Sequence, residues 1–475
     1  MALPAEKLDM PPTSTPASPS GFLDRFFGLT ARGTTVRREV LAGAPTVVTM
    51  AYILFVNPQI LTALPDRTGG VPVQAAVLTA TALVAAVMTM AMGALANLPL
   101  ALAAGMGLNS VVAFQLVGAR GLTWPQAMGV IVAEGLVITA LVVTGLRQAV
   151  VRAVPGSLKR AIGIGIGLFL AFIGFVDAGF ISRNVAGPVP VRLGPNGSLQ
   201  SFPILLFALT LVFTAWLVAR NVRGALLIGI FASTVAAIVA KKVLPGGAGF
   251  DKFVAEIPAS LVSLPDFGQL GKFSFSFVSV LGWLPAALIV FSLMLSDFFD
   301  TVGTVVAVGQ EAKYLDERGN FPRPGTVLLV DSLAAVAGGV AGASSATTYI
   351  ESASGAAAGG RTGLTSIVTG ALFALCLFIA PLAGVVPPQA TGAVLVLVGF
   401  LMMREVGQLP WEDPTEAIPA FLTLAVMPFT YSITNGIGAG FVTFALLKAL
   451  RGRAREVHPL MWAAAIAFVV YFVLA

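Results

Sequence analysis

The chain has 475 residues, 57% of them hydrophobic and 11% charged, with a formal net charge of +6 and a mean hydropathy of +0.92. Soluble domains carry about 25% charged residues, so a soluble enzyme or binding module is excluded, and the basic residues fall mainly in short turns between apolar runs, as topology signals and not as a nucleic-acid patch. One cysteine, Cys376 in LFALCLFIAPL, and one histidine, His458, exclude a disulfide framework, a zinc site and a histidine-based triad, so no cofactor or metal is expected.

Residues 1–33 are polar and carry PPTSTPASPS. They lack the apolar core of a signal peptide and are expected as a disordered or interfacial tail, with GFLDRFFGL as a short interfacial helix. A spanning helix needs about 20 apolar residues. On that measure a first set of spans is expected at 37–63, 73–96, 99–117, 124–145, 157–176, 202–219 and 222–243. A long extracytoplasmic loop, 244–282, follows. The second set falls at 283–309, 324–343, 346–360, 362–382, 388–404, 415–431 and 434–450. The fold class is therefore an all-α polytopic membrane protein of about fourteen segments. Seven is odd, so the repeats 34–243 and 283–450 have opposite orientation, an architecture that recurs in transporters.

Charge fits that count. With the N-terminus inside, the inner turns hold Arg37 and Arg38, then Arg147, Arg152, Lys159 and Arg160, then Arg220 and Arg223. The second repeat adds Lys313, Arg318, Arg323, Arg361, Arg404 and the 448–455 cluster, so the start of the first repeat and the end of the second both fall on the cytoplasmic side. Lys241, Lys242, Lys252 and Lys272 fall in the outer loop. Asp413-Pro414-Thr415-Glu416 marks a helix start, with an acid at the cap, a proline at the first position and a glutamate three residues on. In the C-terminal segment 451–475, MWAAAIAFVVYFVLA is read as either a fifteenth span or a helix lying in the interface, the second being favoured.

Two segments break the helical pattern, PLALAAGMGLNSVVAF near 99–114 and GASSATTYIESASGAAAGGRTG near 342–363. Each is the third element of its repeat and rich in Gly, Ser or Thr. Paired interrupted segments point to a transporter's binding site. If their first parts are extended, Gly105, Gly107 and Asn109 share a side, as do Tyr349 and Glu351.

Acids at membrane depth give the site its chemistry. Asp297 in LIVFSLMLSDFFDTVGTVVAVG and Glu351 in SSATTYIESASGAAAGG have no Lys or Arg within either stretch. Such acids are costly and mark function. An unpaired dry carboxylate is cheapest when protonated, which makes it a proton carrier. Asp300 lies one helical turn beyond Asp297, on roughly the same face, and is the expected partner for a shared proton. Glu134 and Asp331 also lie at depth, in unbroken surroundings, and are read as packing or helix–helix hydrogen bonds. The glycines of GIGIGLFLAFIG are read as close helix contacts, because no βαβ unit surrounds them.

The runs RREVLAGAPTVVTMAYILFVNPQIL, AAGMGLNSVVAF, SDFFDTVGTVVAVG, TTYIESASGAAAGGRTGLTSIVTG and DPTEAIPAFLTLAVMPFTYSITNGI resemble the AzgA-like purine permeases of the nucleobase–cation symporter-2 superfamily, in order, from about residue 34 onward. The resemblance implies proton-coupled uptake of adenine, guanine or hypoxanthine. It implies two inverted seven-helix repeats arranged as a core and a gate domain, with a short strand before the helix in the third and tenth segments. It places Gly107, Asn109, Asp297 and Glu351 at the site, and it implies a homodimer as a possible assembly. The uracil-type members carry a histidine one turn after the eighth-segment acid. Thr301 stands there in this chain, so coupling must rest on carboxylates.

A purine is flat, neutral and edged with donors and acceptors. Glu351 is expected to accept from a ring N–H, Asn109 to read a mixed edge, and Tyr349, Phe298 or Phe55 to stack on the ring. Asp297, Glu351 and Asp300 are the expected proton-coupling acids. The rival cargo is an anion such as sulfate, carried by the related seven-plus-seven fold, but that chemistry asks for positive charge where this chain presents acids. A membrane enzyme would need a nucleophile–base pair or metal ligands at depth, and a passive channel fits broken helices less well than alternating access does.

Overall fold

A computed structural model of the chain describes residues 21–474, apart from 146–152, 185–188, 245, 247–248, 251–254, 259, 313 and 315–320. Residues 1–20 of the expected tail, and Arg147, Arg152, Lys252, Lys313 and Arg318 of the charge pattern, lie outside the described residues.

In chain order, α1 (Phe22–Phe27) leads to α2 (Val36–Met50) and α3 (Ile53–Leu61), two helices separated by a turn at Ala51 and Tyr52, and then to α4 (Gln74–Leu95). The third element is a strand, β1 (Leu102–Ala104), followed by α5 (Met106–Ser110), which continues as a π-helix over Val111–Ala119. Helices α6 (Trp124–Val143) and α7 (Gly156–Asp177) follow, then a hairpin of β2 (Ile181–Arg183) and β3 (Val191–Leu193), then α8 (Phe202–Ala219) and α9 (Ala225–Val243). The second half comprises α10 (Phe277–Leu281), α11 (Trp283–Ala312), α12 (Pro324–Ala341), β4 (Ala346–Thr348), α13 (Ser352–Ala357), α14 (Gly363–Leu375), α15 (Pro388–Met402), α16 (Pro414–Thr430), α17 (Ile433–Leu450) and α18 (Pro459–Leu474).

Eleven helical stretches among the described residues are long and apolar enough to cross a membrane. The 17-residue α16 and the two strand–helix elements are shorter. The expected third and tenth segments are thus the interrupted ones, and each opens with a three-residue strand.

Equivalent elements of the two halves meet face to face, which is the signature of an inverted repeat. β1 pairs antiparallel with β4, Ala103 opposite Thr347. α7 runs antiparallel to its counterpart α15 across two glycine contacts: a Cβ on Gly167 would lie 2.7 Å from the Gly399 carbonyl oxygen, and one on Gly174 would lie 2.5 Å from that of Gly392. The glycines of the GIGIGLFLAFIG run are therefore close helix contacts, as expected. α4 crosses α14 at Gly93 and Gly363, and the symmetry-related pair α6 and α12 meets at Gly135 against Val336 and Gly339 against Val132. Small residues let backbones touch where lipid gives no hydrophobic drive to associate.

Packing divides the helices into two groups. α2, α4, α6, α11, α12 and α14 hold each other around the strand pair, and α7, α8, α9, α15, α16 and α17 form the second group. The two meet where α5 and α11 touch α7 and where α2 touches α9.

The helix start at Asp413 forms as the sequence predicts: the carboxylate accepts from the Thr415 backbone N–H at 2.9 Å and from its hydroxyl at 2.8 Å. The Thr415 hydroxyl and N–H hold Asp413 below the usual carboxylate range. Glu416 does not complete a capping box. It turns instead to Lys448, 2.8 Å away on α17. The last apolar run departs from the favoured of its two readings. α18 is not a helix laid across the end of the bundle but runs antiparallel along α17, with Phe468 against Phe441 and Gly438, and the Tyr471 hydroxyl 3.4 Å from Asn435 Oδ1. Gly438 leaves room for the Phe468 and Phe472 rings, so lengthwise packing buries them.

Candidate functional site

The centre of the site is the strand pair. All six strand residues are buried. An edge of backbone N–H and C=O groups left unpaired at this depth would cost several kcal/mol, and pairing the two interrupted segments removes that cost. Gly105 N–H donates to the Ser345 carbonyl at 2.8 Å, and Tyr349 N–H donates to the Ala101 carbonyl at 2.9 Å, extending the ladder at both ends. The chain reaches β4 through Gly342 and Ser344, both at positive φ.

Glu351 caps the start of α13 and is half-buried. Its Oε1 accepts from the Tyr52 hydroxyl at 2.7 Å, and its backbone carbonyl accepts from Ser354 Oγ at 2.8 Å. Tyr52 sits in the turn between α2 and α3, so a break in the first membrane helix delivers a hydroxyl to the tenth segment. Tyr349 is buried and its hydroxyl donates to the Ala104 carbonyl, which crosslinks the two interrupted segments. Asp300 is exposed and is an electrostatic neighbour of Asp331 and of half-buried Glu351, and the space that Asp300 and Glu351 share beside the strands is the candidate recess.

Asp297 lies on the dry side of α11. It is 1% exposed, and neither carboxylate oxygen has a hydrogen bond of good geometry among the described residues, although Thr347 lies close to it. The predicted pair is thus split: Asp297 is dry and Asp300 faces open space. Asn109 is fully buried, and both its amide oxygen and its amide nitrogen lack partners. An unmade hydrogen bond on a buried polar atom costs about 1–3 kcal/mol, a cost that a ligand able to donate and accept would offset. Gly107 marks the seam between the two packing groups. A Cβ there would lie 2.6 Å from Ile166 Cγ2 on α7. Of the aromatic candidates, Phe55 is buried edge-on against Phe231, and Phe298 is buried against Phe299.

Thr301, in the place of the histidine of uracil-type relatives, joins two elements through its hydroxyl: it donates to Asp331 Oδ2 at 2.6 Å and lies 2.7 Å from Thr347 Oγ1. Asp331 Oδ1 also accepts from the Thr348 N–H at 2.9 Å and hydroxyl at 2.8 Å. Asp331 therefore makes the hydrogen bonds expected of it, and they hold β4 against α11 and α12. Glu134 does not make such hydrogen bonds: it is buried in the packing of α6, and neither of its oxygens has a hydrogen-bond partner among the described residues. Tyr52 had no sequence signal as a site residue; only the fold brings it to Glu351. Ion pairs among the described residues lie elsewhere, at Lys241–Glu256 and around Lys448 and Arg453.

Two broken segments paired at the centre of an inverted repeat, lined by acids, define a secondary transporter. The fold is shared with the transmembrane domain of a cyanobacterial bicarbonate transporter, BicA, at 16% identity and a TM-score of 0.59 over 85% of this chain and 97% of that one. It is shared also with murine solute carrier 26 family member A9, at 11% identity and a TM-score of 0.61 over 93% of this chain and 74% of that one. Both have the seven-plus-seven inverted-repeat architecture.

The sequence model of the permease family of xanthine/uracil type matches residues 37–439, and the chain belongs to that family, the nucleobase:cation symporter-2 family. Its members are transporters and not enzymes. Similar relatives include a putative permease of Methanocaldococcus jannaschii, 40% identical over 95% of this chain and 98% of that protein. The adenine permease AdeP of Escherichia coli is 39% identical over 97% and 98%. The guanine/hypoxanthine permease PbuG of Bacillus subtilis is 38% identical over 94% and 99%.

Proposed function

We propose that this protein takes up purine nucleobases, adenine, hypoxanthine or guanine, across the cell membrane by alternating access, coupled to protons. The observation that carries the reading is the end-to-end similarity to adenine and guanine/hypoxanthine permeases, joined to a recess whose titratable groups are acids. In this reading Glu351 accepts from a purine N–H in a charge-assisted bond, with Tyr52 orienting its carboxylate. The unpartnered amide of Asn109 reads a mixed donor–acceptor edge. Gly107 lets the substrate approach the seam, and Tyr349 fixes the strand pair beneath it. Asp297, Glu351 and Asp300 hold the protons. In this reading the start of the first repeat and the end of the second lie on the cytoplasmic side, and a homodimer in the lipid bilayer is the proposed assembly.

The fold neighbours named for bicarbonate and anion transport keep an anion cargo as the rival. An anion asks for cations or free N–H donors, and the recess presents Glu351 and Asp300 instead. Uptake of radiolabelled adenine into cells lacking their own purine permeases, competed by hypoxanthine, guanine, uracil and sulfate, separates the two. Purines compete and sulfate does not, and Glu351→Gln abolishes uptake at normal surface expression. Competition by sulfate, or full uptake by the Gln variant, overturns the reading.

A further inference from the structure

The roles above leave Glu134 without a part. It lies midway along α6, is 0% exposed, and neither carboxylate oxygen has a hydrogen-bond partner among the described residues. Its place is set by backbone packing: the adjacent Gly135 touches Val336 of α12, and Val132 touches Gly339. Helix α11 packs on α6 as well. The titratable groups that face Glu134 are Asp331 from α12 and Asp297 from α11, and Asp297 in turn faces Asp300. The Ser345 hydroxyl approaches from the chain before β4. The other elements against α6, α10 and the π-helix after α5, carry no charged residue. Asp331 is supplied with donors by Thr301 and Thr348. Glu134 and Asp297 are not, and no cation pairs with either among the described residues.

We propose that Glu134 and Asp297 form a two-carboxylate proton site on the dry side of the strand pair, distinct from the nucleobase-facing Glu351 and Asp300. Two dry carboxylates with no counter-ion cannot both stay ionised. One proton between them removes a charge and supplies the O–H donor that both side chains lack. Asp300, one turn along α11 and open to the recess, is the nearest acid from which a proton reaches the pair. The cargo in this inference is that of the proposed function, but the proton site itself does not depend on it.

Purified protein in detergent and in liposomes supplies the test. The pair contributes to the infrared carboxylic-acid C=O band at neutral pH, so Glu134→Gln and Asp297→Asn each reduce or shift it, and Glu456→Gln, at an exposed ion pair, leaves it unchanged. Glu134→Gln keeps adenine binding and adenine/adenine exchange near wild type. Its proton-driven accumulation falls by about tenfold or more, the size of a typical coupling free energy, and its uptake no longer varies with pH. Glu134→Asp retains pH-dependent accumulation. A band indifferent to Glu134→Gln overturns the proposal, as does wild-type accumulation by that variant, or accumulation that follows a sodium gradient. Loss of binding by both Glu134 variants marks a purely structural role and also overturns it. Wild-type protein that binds no purine but shows the Glu134-dependent band sinks the cargo reading and leaves the proton site standing.

Discussion

Glu39, at the start of α2, is fully buried and accepts five hydrogen bonds: from the Thr34 hydroxyl, the Arg361 N–H, the Thr362 N–H and hydroxyl, and the Thr365 hydroxyl. A single side chain thus ties the first membrane helix to the N-terminus of α14, more than 300 residues on. Glu39→Ala leaves those donors buried without an acceptor and is expected to destabilise the protein by about 3 kcal/mol, read as a lower melting temperature in detergent; an unchanged melting temperature would show that water replaces the carboxylate. The candidate site residues divide at this scale by how they could be found. Asp297, Asp300 and Glu351 were legible because a carboxylate in an apolar run is conspicuous on its own. Tyr52 was not, since a tyrosine in a membrane helix is ordinary until the fold sets its hydroxyl 2.7 Å from Glu351. Glu134 was visible as an acid at depth, but whether it is supplied with donors depends on neighbours from α11 and α12.

At the scale of elements, the glycine seams decide which helices touch. Where α4 crosses α14, a Cβ on Gly363 would lie 1.9 Å from the Gly93 carbonyl oxygen, and one on Gly93 would lie 2.4 Å from that of Gly363. Neither contact can relax by turning a side chain, because backbone meets backbone. Gly363→Val is expected to lower the melting temperature and the yield of folded protein, at a cost of at least about 1–3 kcal/mol for overpacking. Gly407→Ala, where nothing lies within 4 Å, is the matched control and should be neutral; equal melting temperatures for the two variants would contradict the seam. Hydropathy revealed these elements but not their partners. The interrupted third and tenth segments were legible from their Gly, Ser and Thr content and their short strands from the resemblance, while the pairing of β1 with β4 appears only in the fold. The end of the chain stays open between two readings in the sequence, because an apolar run of 15 residues looks alike whether it lies in an interface or runs beside a helix. Gly438, whose missing side chain admits the Phe468 ring, decides for the second.

The whole molecule places its acids where two packing groups meet around a strand pair. Gly107 abuts Ile166 of α7 at that seam, and alternating access, as proposed, would move the two groups there and change access to Glu351 and Asp300. In the proposed reading, the dry acids Glu134 and Asp297 and the more open Glu351 and Asp300 let proton binding bias that movement, because a charged dry carboxylate is costly and a neutral one is not. Purified protein in liposomes, loaded with an imposed pH gradient and given labelled adenine or hypoxanthine outside, tests this account most directly. It predicts that the purine accumulates inside above its external concentration when the interior is the more alkaline, and that accumulation collapses to simple equilibration once a protonophore dissipates the gradient. Accumulation that survives the protonophore, or transport of sulfate in place of the purine, would contradict it.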